Sequence, residues 1–166
     1  MSPIKGVLYY DSELCVGCHS CEVACKVEHD LPVGVNRVGI LVEGPTIING
    51  ELKQEFKRVA CRHCVQPPCI KVCPTGAIKK RGEDGIVFID QSLCTGCQLC
   101  AEACPYDAIC FHPEKYWAEI CDFCIDRLDK GLPPFCVQHC MSGALFFGTK
   151  KEYEERRRTW KNRQKS

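Results

Sequence analysis

Sixteen of the seventeen cysteines in this 166-residue chain fall into four quartets, and only Cys110 stands alone. The first is Cys15, Cys18, Cys21 and Cys25. The second is Cys61, Cys64, Cys69 and Cys73, and the third Cys94, Cys97, Cys100 and Cys104. The fourth is Cys121, Cys124, Cys136 and Cys140. Prolines Pro74 and Pro105 follow the second and third directly. At this density a secreted chain reads as a disulfide scaffold, and a cytosolic one as a metal protein. The odd count leaves one thiol over in any fully paired framework. The first residues, Met1-Ser2-Pro3-Ile4-Lys5, carry neither a twin-arginine nor an apolar secretory stretch. Metal in the cytoplasm is therefore the expectation.

Spacing narrows the metal. The first and third quartets read C-x-x-C-x-x-C-x-x-x-C, the bacterial ferredoxin run for a [4Fe–4S] cluster. The second and fourth keep the opening pair and the closing C-x-x-x-C, and stretch only the middle gap. Three thiolates on one tight loop can cap three corners of a cube, with Gly17 and Gly96 letting the backbone bend toward the sulfurs. Backbone N–H groups of such a loop point at an anionic centre. In two-cluster ferredoxins the fourth cysteine ligates the other cluster. Zinc is the main metal alternative, and four quartets could pair as tetrahedral knuckles. Zinc leaves the third cysteine and the Cys-Pro closures unexplained.

The quartets sit in an internal repeat. Asp11-Ser12-Glu13-Leu14-Cys15-Val16-Gly17-Cys18 resembles Asp90-Gln91-Ser92-Leu93-Cys94-Thr95-Gly96-Cys97, and Pro74-Thr75-Gly76-Ala77-Ile78 resembles Met141-Ser142-Gly143-Ala144-Leu145. Each unit reads as short strand, cluster loop, short helix, turn, short strand. Strands are expected at Gly6–Tyr10, Ala77–Lys80, Ile86–Asp90, Ala108–His112 and Ala144–Gly148, with a turn at Arg81–Gly85. Helices are expected at Cys21–Glu28, Leu99–Cys104 and Asp122–Lys130. The cysteine-free stretch from His29 to Ala60 alternates apolar residues around Gly44-Pro45 and Asn49-Gly50, and reads as an inserted β-hairpin.

Four phrases carry a family resemblance: Cys61-Arg62-His63-Cys64-Val65-Gln66-Pro67-Pro68-Cys69, Glu83-Asp84-Gly85-Ile86-Val87, Cys104-Pro105-Tyr106 and Cys121-Asp122-Phe123-Cys124. From about Lys5 to Gly148 the layout resembles the four-cluster iron–sulfur subunit of molybdopterin and tungstopterin oxidoreductases. That family includes the electron-transfer subunits of dimethyl sulfoxide reductase, polysulfide reductase, formate dehydrogenase and tungsten aldehyde oxidoreductase. The resemblance implies an α+β fold of two nested ferredoxin-like modules. The outer would comprise residues 1–55 and 113–148, the inner 56–112, with a basic tail over 149–166. It also implies that quartets one and four exchange their last cysteines, as do two and three. The implied ligand sets are Cys15/Cys18/Cys21/Cys140, Cys121/Cys124/Cys136/Cys25, Cys61/Cys64/Cys69/Cys104 and Cys94/Cys97/Cys100/Cys73. Two departures, Cys25-Lys26 and Cys140-Met141 in place of Cys-Pro, remove no ligand. The implied partners are a large molybdenum- or tungsten-pterin catalytic subunit and a flavoprotein or ferredoxin.

The rest of the chain reads as a wire rather than an enzyme. It has no G-x-S-x-G, no Rossmann glycine fingerprint and no P-loop, and no run of 18 apolar residues to span a membrane. The formal charge of +1 speaks against a general nucleic-acid binder. Sixteen thiolates around four 2+ cores would bring it to about −7. His63 and His139 lie inside quartets, where a spacer role is weighed against ligation or tuning; His19, His29 and His112 receive no role. Cys110 reads as a buried core thiol. The tail from Lys150 has eight Lys/Arg and three Glu, with Tyr153 and Trp160 seven apart. It is either a solvated end or a docking segment for an acidic surface. The expectation is electron transfer through four [4Fe–4S] clusters. The alternatives are a hydrogenase or carbon monoxide dehydrogenase relay and, in another class, a zinc-binding structural module.

Overall fold

The computed structural model describes residues 4–163, so the ends of the outer segment and of the tail lie outside the described residues. The chain folds as an α+β arrangement of short elements. They run β1 (Val7–Tyr10), α1 (Ser20–His29), β2 (Val38–Ile48), β3 (Glu51–Ala60), α2 (Pro68–Val72), β4 (Ile78–Lys80), β5 (Val87–Ile89), α3 (Leu99–Glu102), β6 (Cys110–Phe111), β7 (Ala118–Glu119), α4 (Ile125–Asp129), α5 (Phe135–Gln138), β8 (Leu145–Gly148) and α6 (Lys150–Arg163). The strands pair antiparallel as β1–β8, β2–β3, β4–β5 and β6–β7.

Pairing of β1 with β8, from Val7↔Gly148 to Tyr10↔Leu145, closes residues near the two ends of the chain onto each other. The pair β4–β5 is a hairpin over the Arg81–Gly85 turn, where the Gly85 N–H donates to the Arg81 carbonyl at 2.9 Å. The pair β6–β7 straddles the division expected between His112 and Pro113.

The expected inserted hairpin is present as β2–β3, in register from Val38↔Ala60 to Ile48↔Glu51. Its turn, Asn49-Gly50, takes left-handed φ at both residues (53° and 81°), the conformation that Asn-Gly favours in two-residue hairpins. The register shifts between Glu43 and Thr46, around Gly44-Pro45, where proline has no N–H to give the ladder. The root of the hairpin (Val38, Ile40, Ala60) is buried, and its outer half is exposed.

Boundaries shift from expectation where local geometry overrides pattern. The helix expected at Asp122–Lys130 begins only at Ile125, because Phe123 and Cys124 take left-handed φ (56° and 55°). Helices α2 and α5 and strand β7 are additions to the expected elements. Both helices start directly after a proline, Pro67 and Pro134. The tail is helical. Tyr153 stacks on Tyr9 with ring centroids 4.5 Å apart, and Arg157 pairs with the buried Asp11 at 2.8 Å and with Glu13 at 3.1 Å.

One buried cluster joins Cys25, Val38, Ala60, Ile86, Cys121, Phe123, Leu128 and Phe147. A second joins Cys69, Ile78, Val87, Cys100, Ala118 and Ile120, and a third Ala24, Cys136 and Leu145. The first cluster draws on all parts of the chain from α1 to β8, so the expected inner and outer segments share a core. Cysteines contribute to each of the three clusters, and six of the seventeen are buried.

Candidate metal centre

All seventeen cysteines are free thiols. In two hollows the last cysteine of one quartet meets the first three of another. Cys61, Cys64 and Cys69 line one hollow together with Cys104. Cys94, Cys97 and Cys100 line a second with Cys73. Around Cys25, burial first and then the charges of Cys121, Cys124 and Cys136 push its thiol far up. Cys21 is pushed up to about 11, chiefly by burial, and Cys140 is one of the charges it feels. Cys15 and Cys18 lie on the same loop as Cys21, with Cys18 exposed.

Burial sets the chemistry of the thiols. It pushes Cys61, Cys124 and Cys136 up to about 12, and Cys100 up to about 11. Such thiols keep their protons at neutral pH unless a cation displaces them, and metal binding is what releases them. Cys18 moves the other way, because the Ser20 hydroxyl lies 3.4 Å from its sulfur.

The loops are bent by left-handed backbone before the helices. Gly17 and Gly96 (φ 64° and 68°) sit between the first two cysteines of their quartets, and His19 and Gln98 (φ 57° and 67°) follow the second cysteine. A Cβ on Gly96 would lie 2.3 Å from the Tyr116 carbonyl oxygen, and one on Gly17 would lie 2.2 Å from the Phe56 ring. The Phe56 ring can turn aside, whereas the Tyr116 backbone is held by its N–H bond to the His112 carbonyl at 2.8 Å. Alanine at either glycine costs left-handed strain of about 1–2 kcal/mol, and Gly96→Ala adds the clash with fixed backbone. The measurable outcome is iron content reduced by about one cluster in Gly96→Ala and a smaller loss in Gly17→Ala.

Hydrogen-bond donors converge on the sulfurs. The His63 N–H donates to Cys61 Sγ at 3.4 Å, and the Ala118 N–H to Cys94 Sγ at 3.3 Å. Two further donors, His29 and Arg58, belong to no sequence motif. His29 Nδ1 lies 3.0 Å from Arg37 Nη1, which can only donate. The ring proton is thereby assigned to Nε2, which lies 3.4 Å from Cys124 Sγ and donates to it. Arg58 Nη2 lies 3.9 Å from Cys121 Sγ. The contacts of His29 and Arg58 span 95 and 63 residues of sequence, so no local pattern announces them. Thiols gathered in fours around a hollow, partly buried and met by donors, suit an anionic iron–sulfur core, whose properties depend on such bonds.

The other single residues resolve as follows. His63 is an internal pin rather than a surface spacer. Its Nδ1 accepts the Val87 N–H at 2.8 Å, its ring packs 3.9 Å from Phe123, and burial pulls its pKa down to about 4. His139 lies against Phe135, with Nδ1 3.0 Å from the Phe135 carbonyl. The Cys110 thiol, raised mainly by burial, lies within donating distance of the carbonyls of Asn36 (3.3 Å) and Glu119 (3.6 Å); it is half-buried rather than the fully buried core thiol expected. Among the described residues no helix is long and apolar enough to cross a membrane.

Fold and thiol grouping together define a small α+β ferredoxin-like iron–sulfur protein. Residues 52–150 match the 4Fe-4S dicluster domain family. The chain is 43% identical over 153 residues to the thiosulfate reductase electron transfer protein PhsB of Salmonella typhi, covering 91% of this chain and 79% of that one. It is 42% identical to the protein NrfC of Escherichia coli K12, over 87% of this chain and 67% of that one. It is 40% identical to a tetrathionate reductase subunit of Salmonella typhimurium, over 88% of this chain and 58% of that one. The chain belongs to this family of 4Fe-4S electron-transfer subunits.

Proposed function

We propose that this chain carries four [4Fe–4S] clusters and relays single electrons between a catalytic molybdenum- or tungsten-pterin subunit and a second redox partner, a flavoprotein or a ferredoxin. The ligand sets of the reading are Cys15/Cys18/Cys21/Cys140, Cys25/Cys121/Cys124/Cys136, Cys61/Cys64/Cys69/Cys104 and Cys73/Cys94/Cys97/Cys100. The observation that carries it is the pair of hollows in which three cysteines of one quartet meet the last cysteine of another. When bound, each cluster supplies a site that takes up and gives back one electron. The protein contributes the thiolates, their burial, the N–H groups aimed at sulfur and the spacing between stops.

In this reading the stops stand in one line. The charge of Cys21 raises Cys136 and that of Cys121 raises Cys61, and Cys69 shares a buried cluster with Cys100. The line thus runs from the exposed Cys18 loop, through the Cys121 loop and the Cys61 loop, to the exposed Cys97 loop. Nesting of an inner module within an outer one follows from the same ligand exchange, and the β1–β8 closure supports it. The strand pair β6–β7 favours a seam between modules after Glu119.

The catalytic partner is proposed from the relatives, two of which are named as subunits of thiosulfate and tetrathionate reductases. The outer half of the β2–β3 hairpin exposes Ile47 and Leu52 by about three-quarters (75% and 73%). A two-stranded hairpin is marginal alone in water, and this arm is assigned to contact with the large catalytic chain. Seventeen free thiols suit cluster assembly in a reducing compartment, and the reading places that assembly in the cytoplasm.

Anaerobic purification from the native host, with identification of the co-purifying chains, tests the partner. A pterin-containing oxidoreductase chain in stable stoichiometry is expected. A zinc-loaded, iron-free chain purifying without any redox protein would contradict the reading.

A further inference from the structure

Arg58 is a half-buried cation that pairs with no carboxylate among the described residues. Its Nε is fully covered and has no hydrogen-bond partner among the described residues. No Asp or Glu pairs with it there, in contrast to Arg37, which holds Glu119 at 2.6 Å and Asp122 at 3.1 Å. A covered guanidinium nitrogen left without a partner is costly, and an anion facing it offsets that cost. The groups that do are sulfurs. Nη2 is 3.9 Å from Cys121 Sγ, and a guanidinium keeps its charge at any ordinary pH. Arg58 lies near the end of β3, two residues before Ala60 of the shared core and three before Cys61. It therefore stands where the Cys121 loop approaches the Cys61 loop.

We propose that Arg58 is a positioning charge that raises the reduction potential of the cluster held by Cys25, Cys121, Cys124 and Cys136. The inference rests on the ligand sets assigned above. The physical basis is direct. Reduction adds one electron and hence one negative charge to the cluster. The electron comes from the neighbouring cluster or, in the test, from dithionite, and no proton or bond is exchanged. Arg58 keeps its charge throughout, and its attraction is stronger for the more negative state. It does not touch the iron. It acts through sulfur, by charge and by a weak N–H contact to Cys121.

The test compares the anaerobically purified full-length chain with Arg58→Gln and Arg58→Lys. Iron and sulfide are counted first, and the midpoints of all clusters are then read by electron paramagnetic resonance during a potentiometric titration. In Arg58→Gln one midpoint is expected to fall by at least 59 mV, a tenfold change in a one-electron equilibrium constant. The cluster assigned to Cys73, Cys94, Cys97 and Cys100 stays in place as an internal standard. Arg58→Lys, which keeps the charge, is expected to recover at least half of the shift. Unchanged midpoints at full iron content overturn the role of Arg58 and leave the ligand sets standing. An equal shift of every cluster, or a fall in Arg58→Lys as large as in Arg58→Gln, overturns it too. Should Arg58→Gln fail to assemble, Arg58→Lys decides alone: its midpoint must lie within about threefold of the parent equilibrium constant, and a tenfold fall refutes the charge role. A parent chain without four clusters would instead overturn the reading on which the inference rests.

Discussion

Replacing Cys25 with serine is expected to destroy or alter the cluster assigned to Cys121, Cys124 and Cys136. The cluster assigned to Cys15, Cys18 and Cys21 should keep all four of its thiolates. The expectation follows from position: Cys25 lies on the buried face of α1, and the thiols that most affect it belong to the fourth quartet rather than its own. Serine offers a poorer ligand in a pocket shaped for sulfur. The loss should be close to one cluster of the proposed four in iron count. Adding Cys121→Ser to Cys25→Ser should injure no further cluster, whereas adding Cys15→Ser should injure a second. The reverse pattern would mean that each quartet closes on its own cluster, and the proposed order of stops would fall with it.

The second large effect is on folding. Without iron the chain is expected to lose most of its ordered structure. The largest fully buried side chains are Ile86, Leu128, Val35, Val38, Val87 and Pro134, a small set for 166 residues. Cysteines proposed as ligands fill much of the remaining interior. Apart from α1 and the tail, the helices are four or five residues long, far below the ~12–15 residues at which an isolated helix becomes marginal. Structural metal supplies of order 10 kcal/mol or more in small metallodomains, comparable with the whole stability of an ordinary domain. Circular dichroism and limited proteolysis of anaerobically prepared apoprotein check this. A weak signal and rapid digestion are expected, both reversed on reconstitution. A compact, protease-resistant apoprotein would contradict it.

Those same features decide what a reader of the sequence can find. The cysteine spacing is local, so the four quartets are legible at once, and the short strands on either side follow from their repeats. The hairpin is legible from Asn49-Gly50. Helices α2 and α5 escape notice because four or five residues carry no period, although Pro67-Pro68 and Pro133-Pro134 mark their starts. Strand β7 is two residues long, and its partner β6 lies across an expected boundary. The helix at Asp122 begins late because Asp122 accepts the Cys124 N–H at 2.8 Å and holds the loop open for two more residues. His29 and Arg58 are invisible to local reading for a different reason. Their targets are sulfurs brought near by tertiary packing, and at their own positions they look like an ordinary helix end and an ordinary strand residue. The tail illustrates the converse. Its charge is plain in the sequence, but only the fold commits Arg157 and Lys161 to Asp11 and Glu13.

Four clusters on exchanged ligands is the central claim, and metal stoichiometry tests it most directly. Anaerobically purified full-length chain is expected to contain about sixteen iron and sixteen acid-labile sulfide, as four [4Fe–4S] centres require. Stepwise reduction should bring up four paramagnetic centres whose signals are broadened by their neighbours. About eight iron, or zinc in place of iron with no sulfide, would contradict the account.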